Sequence, residues 1–71
     1  MALVQVMPSG DAWKVVVDGT QDGGTYDTQE EAEGIGRTTA KGLGAEFQLH
    51  GADGEIREKD SYGNDPRETR G

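Results

Sequence analysis

Seventy-one residues with a formal net charge of −7, fourteen acidic against seven basic side chains, limit what this chain can be. A chain of this size makes one domain that buries only about 60% of its unfolded surface, so its stability is expected to be marginal. The acidity argues against a nucleic-acid backbone or an anionic membrane as partner. The lack of cysteine removes disulfides and thiolate metal sites and fits a reducing cytoplasm, the expected location.

From the N-terminus, Met1 to Met7 carries no basic region and no long apolar run, so neither a signal peptide nor a membrane span is expected. Residues 2–7 read as a first strand, Pro8-Ser9-Gly10-Asp11 as a turn, and residues 12–18 as a second strand rich in β-branched side chains. A four-residue loop would set Val6 opposite Trp13, Val4 opposite Val15, Ala2 opposite Val17 and Gln5 opposite Lys14. That register sorts the faces and predicts Val4, Val6, Trp13, Val15 and Val17 as core. Leu3, Met7 and Val16 then point outward, with Leu3 opposite Val16.

Residues 19–25 are glycine and short polar side chains and read as a mobile loop. A phosphate-binding reading fails, because no Gly-x-x-x-x-Gly-Lys is present and Asp22, Asp27, Glu30 and Glu31 would repel the ligand. Tyr26 is expected to pack on the sheet. Thr28 and Glu31 form a capping box that opens the one predicted helix. Acidic residues crowd its start, Arg37 and Lys41 lie toward its end, and Glu33 precedes Arg37 by four residues. Ala32, Ile35, Gly36, Thr39, Ala40 and Leu43 make an apolar or small stripe at helical spacing. Gly42 or Gly44 supplies the stop. Gly34 and Gly36 each cost about 1 kcal/mol relative to alanine, so packing on a sheet must hold this helix, and its small stripe implies a close approach.

Ala45 to His50 alternates strictly, which turns Ala45, Phe47 and Leu49 to the helix and Glu46, Gln48 and His50 away. Gly51 to Gly54 is a turn and residues 55–59 a fourth strand, with Leu49 expected opposite Ile56 and Glu46 opposite Lys59. The predicted fold is therefore α+β, ββαββ, one helix packed on an antiparallel sheet made of two β-hairpins. The domain spans residues 1–60. Residues 61–71 form a polar C-terminal tail expected to be disordered, except that Tyr62 folds back.

Several motifs in order bring a family into view: Val4-Gln5-Val6-Met7-Pro8 leading to Trp13-Lys14-Val15, Tyr26 to Ala32, His50 to Ile56, and Ser61-Tyr62-Gly63-Asn64-Asp65-Pro66. Over nearly its whole length the chain resembles the bacterial domain-of-unknown-function family 2188. The family pattern often has a histidine where Val4 or Gln5 stands, usually a glycine at the place of Ala12, and more basic residues in the loop and helix. The resemblance implies a small bacterial protein and supplies no activity, cofactor or catalytic residue.

The residues themselves assemble no catalytic set. His50 is the single histidine, without a cysteine or a Gly-x-Ser-x-Gly elbow to act with it, and reads as solvent-facing at a strand end. Asp60, Asn64, Asp65 and Glu68 offer oxygens without EF-hand spacing. Trp13 is in phase with the core rather than set out as a base-stacking platform. The expected function is thus a non-catalytic protein-interaction module that uses no cofactor. Its partner is an unknown protein or a second copy, met through the outer sheet face (Leu3, Met7, Val16) or a sheet edge. The alternative is nucleic-acid binding through Lys14, His50, Arg57 and Lys59, which the charge of −7 disfavours. An enzyme is not expected.

Overall fold

Alternating apolar residues build the first two strands of the structure, a computed structural model that describes residues 2–63: β1 (Leu3–Ser9) and β2 (Ala12–Val17). They pair antiparallel with Val4 opposite Val17, Gln5 opposite Val16, Val6 opposite Val15, and Ser9 opposite Ala12. The connection is therefore two residues, Gly10-Asp11, rather than the expected four. Gly10 supplies the φ of 63° that the first central position of such a tight turn takes. Pro8 belongs to the strand, since it lies past the last β1–β4 pair, Val6 with Leu49, where a missing N–H costs that ladder nothing. The slip from the expected register is two residues, so every side chain keeps its face. Val4, Val6 and Val15 are fully buried as expected, while Trp13, now beside Pro8, and Val17 are only partly buried.

Residues 19–25 were expected as a loop, but residues 20–26 form the strand β3 (Thr20–Tyr26), antiparallel to β2, with Tyr26 packed against the core as expected. The hairpin closes on Asp18-Gly19, with φ of 51° and 87°, the pair of positive values that a type I′ turn requires. Asp18 is fixed further because its Oδ1 accepts a 2.9 Å hydrogen bond from the Leu3 amide while its own amide donates to the Leu3 carbonyl at 2.8 Å. Gly23, at φ 76°, falls where the ladder shifts register between the Lys14 and Val16 pairs. An edge strand exposed on both faces carries no apolar alternation, which is why its composition resembles a loop.

The helix α1 (Gln29–Leu43) starts at Thr28, whose Oγ1 accepts from the Glu31 amide at 3.1 Å. It ends at Gly44, left-handed at φ 64°, whose amide reaches the Ala40 and Lys41 carbonyls. Its buried stripe is narrower than expected and made of small residues only, Ala32, Gly36 and Ala40, while Ile35 and Leu43 stay 42% and 55% exposed. Small residues let the backbone come close to the sheet. Gln29 Nε2 ties the first turn to β4 by donating to the His50 carbonyl at 3.0 Å.

After the helix, β4 (Glu46–His50) runs parallel to β1, and β5 (Ile56–Ser61) pairs antiparallel with β4. The strand order is β3-β2-β1-β4-β5, a mixed five-stranded sheet in place of two antiparallel hairpins. Ala45, Phe47 and Leu49 face the helix and are buried. The β4–β5 register departs from expectation: Leu49 meets Glu58, Gln48 meets Lys59, Glu46 meets Ser61, and Ile56 meets His50. A bulge between the Leu49 and His50 pairs adds one residue, and a one-residue slip changes the face. Ile56 is thereby turned away from Leu49 and left 47% exposed. Ser61 ends β5 and the Tyr62 amide donates to the Ala45 carbonyl at 3.0 Å, so the ordered domain runs past residue 60. The tail reading for residues 64–71 lies outside the described residues.

Candidate interaction surface

Helix α1 crosses the sheet with two unlike flanks. On the β4–β5 side, the Arg37 guanidinium lies 4.5 Å from the Phe47 ring centre and donates to three carboxylates: Glu33 at 2.8 Å, Glu58 at 2.6 Å and Asp60 at 2.5 Å. It also donates to the Tyr62 hydroxyl at 2.9 Å, and Lys41 Nζ sits 5.8 Å from the Tyr62 ring centre. Asp60 first, and then Glu33, push the Arg37 pKa upward against partial desolvation, so the clamp keeps its positive charge. This flank is closed by side chains.

The opposite flank is open. Between β3 and the C-terminal half of α1 lies a groove of about 420 Å³. Val17, Gln21 and Asp22 line it from the sheet and Thr39, Gly42 and Leu43 from the helix. Most residues facing one another here are short or lack a side chain, so the helix and the outermost strand leave a gap, whereas Arg37 and Tyr62 fill the other side. Thr39 Oγ1 turns inward to its own helix, donating to the Ile35 carbonyl at 2.9 Å. Asp22 is the one charged residue lining the groove.

Beside the groove runs the outer edge of β3, which among the described residues has a neighbour only on its β2 side. Edge strands present unpaired backbone groups. Gln21 Nε2 covers part of this edge, donating to the Gly23 and Gly24 carbonyls at 3.4 and 3.2 Å. An added strand would offer N–H groups of the same kind.

The sheet face away from the helix has no element over it among the described residues. Its central row is Gln21, Val16, Gln5, Gln48 and Lys59, tied by a Gln5 Nε2 to Gln48 Oε1 hydrogen bond of 3.1 Å. Leu3, Met7 and Val16 share this face as expected, but the corrected register puts each in a different row. Leu3 is beside Glu46, Met7 beside Lys14, and Val16 beside Gln5 and 7% exposed. Exposed Ile56, unforeseen on this face, pairs with His50.

His50 itself departs from the solvent-facing expectation and is 7% exposed. Its Nδ1 stands 3.1 Å from the Gly54 carbonyl. A carbonyl only accepts, so the ring proton of this bond is on Nδ1. Nε2 is buried with no hydrogen-bond partner among the described residues. The turn after β4 folds back over the ring, and the strand-end position that suggested exposure instead encloses it. Arg57 is paired with Asp53 at 3.2 Å, which leaves Lys14 and Lys59 as the cations of the expected basic spot without an ion pair among the described residues. Among the described residues no three histidine or acidic side chains gather as metal ligands. Of the expected oxygen donors, Asp60 is held by Arg37, and Asn64, Asp65 and Glu68 lie outside the described residues. No helix among the described residues is long and apolar enough to cross a membrane.

The groove and the β3 edge were missed by sequence reasoning. The signal that could have found them is Val17-Asp18-Gly19-Thr20, an Asp-Gly pair directly after a valine-rich strand, which is a strong hairpin signature. Residues 4–62 match the family model described as an uncharacterized protein conserved in bacteria (DUF2188). No curated protein and no solved structure matches the chain.

Proposed function

The chain belongs to this uncharacterised bacterial family, whose description names no activity, and we propose that it works as a non-catalytic protein-interaction module that docks a partner along β3. The observation that carries this reading is the juxtaposition of an open strand edge with an unfilled groove on the same side of the domain. An edge supplies main-chain hydrogen bonds and a flanking groove takes alternate side chains, the physical basis of strand addition. Exposed Leu43 and Ile35 on the helix flank support it, since they are two of the exposed large apolar residues of the domain.

A second reading places the partner on the outer sheet face, favoured by exposed Ile56 and by Met7 on a face left uncovered by the described residues. The two readings separate in a pull-down from bacterial lysate with wild type, Thr39→Arg and Ile56→Glu. Thr39→Arg fills the groove, and Ile56→Glu charges the outer face at an already exposed site. A partner kept by Ile56→Glu and lost by Thr39→Arg is the expected result. The reverse pattern assigns the function to the outer face, and a partner retained by both variants removes both surfaces.

A further inference from the structure

The charges around the groove are arranged with one sign. Asp22 lines it, Asp18 stands at the hairpin turn from which β3 starts, and Glu31 shares the helix flank of Ile35, Thr38 and Gly42 by helical spacing. The helix cations are on the other flank, Arg37 inside its carboxylate clamp and Lys41 over Tyr62. The apolar part of the groove is Val17, Gly42 and Leu43, the last 55% exposed. An apolar slot with acidic margins complements an apolar side chain with basic neighbours. A second copy of the chain is a poor occupant. It carries the same net charge of −7, so two copies repel one another.

We propose that the groove binds an extended, basic peptide segment, which adds as a strand to the outer edge of β3, seats one apolar side chain between Val17 and Leu43, and sets lysine or arginine against Asp18, Asp22 and Glu31. This rests on the docking function above and names the chemistry of its partner. No covalent step is involved. Specificity comes from the margin charges, while the backbone ladder supplies the sequence-independent part of the affinity.

The test uses the full chain, nitrogen-15 labelled, and two synthetic peptides. Each has valine and threonine alternating around one central isoleucine; one carries lysines at both ends and its twin glutamates. Amide shifts are followed through each titration. The lysine peptide is expected to saturate, with shifts confined to Asp18–Tyr26 and Glu31–Leu43, and the glutamate twin to bind at least about ten-fold more weakly. Asp22→Lys, at an exposed site, is expected to weaken the lysine peptide several-fold and to strengthen its twin. Leu43→Asn should weaken both peptides with the remaining spectrum unchanged. Equal binding of the two peptides at this groove overturns the basic-partner inference and leaves the docking reading standing. Binding of neither peptide, or shifts only at Met7, Gln48 and Lys59, overturns the docking reading with it.

Discussion

A Cβ placed on Gly36 would stand 2.8 Å from Val6 Cγ2, closer than packed atoms approach, and 3.0 Å from Phe47 Cε1. The helix is seated on the sheet at this point, and the contact is with the two buried residues that centre the core. Gly36→Ala therefore gains helix propensity but overpacks the interface, with an expected net loss of about 1–3 kcal/mol. At Gly34 a Cβ meets nothing within 4 Å, so Gly34→Ala is expected to stabilise by about 0.5–1 kcal/mol. Urea unfolding of the two variants checks the sign at each site.

Arg37 holds β5 to the helix, and the three carboxylates it joins come from two elements distant in sequence. Arg37→Met keeps part of the cover over Phe47 but loses the ion pairs and the bond to Tyr62. It is expected to lose about 2 kcal/mol and to raise amide exchange in β5 more than in β1. Arg37→Lys should recover less than half of that loss, because an ammonium cannot make the forked contacts of a guanidinium. Thermal melts and exchange of the three proteins test this.

Asp18 combines a left-handed backbone with a side-chain bond to the Leu3 amide. Asp18→Asn retains both features and is expected to cost under about 0.5 kcal/mol. Asp18→Ala loses the bond and strains the turn, for about 1–2 kcal/mol. If both variants melt alike, the turn does not depend on this side chain.

The helix was legible because its signals are local: Thr28 caps it, Gly44 ends it, and Ala32, Gly36 and Ala40 recur at helical spacing. The core valines and Phe47 were legible from alternation. Two features were hidden for separate physical reasons. Strand β3 buries no face, so its identity comes from the turn at Asp18-Gly19 and from its pairing with β2 rather than from hydrophobic periodicity. Ile56 was expected opposite Leu49 because nothing in its neighbours marks the bulge that turns it out. The groove depends on the first, since it lies where an unrecognised strand faces a helix flank that was expected to be covered. The parallel pairing of β1 with β4 is a contact between distant segments and leaves no local trace in either.

The central claim is that residues 20–26 form a strand paired on one side and open on the other. Amide hydrogen exchange of the free chain tests it residue by residue. The expected pattern is alternation along Thr20–Tyr26: amides directed at β2 protected, and those directed outward exchanging at nearly the rate of an open chain. Fast exchange throughout would return this segment to a loop and remove the edge. Protection throughout would mean that the edge is already covered. Either result contradicts the account.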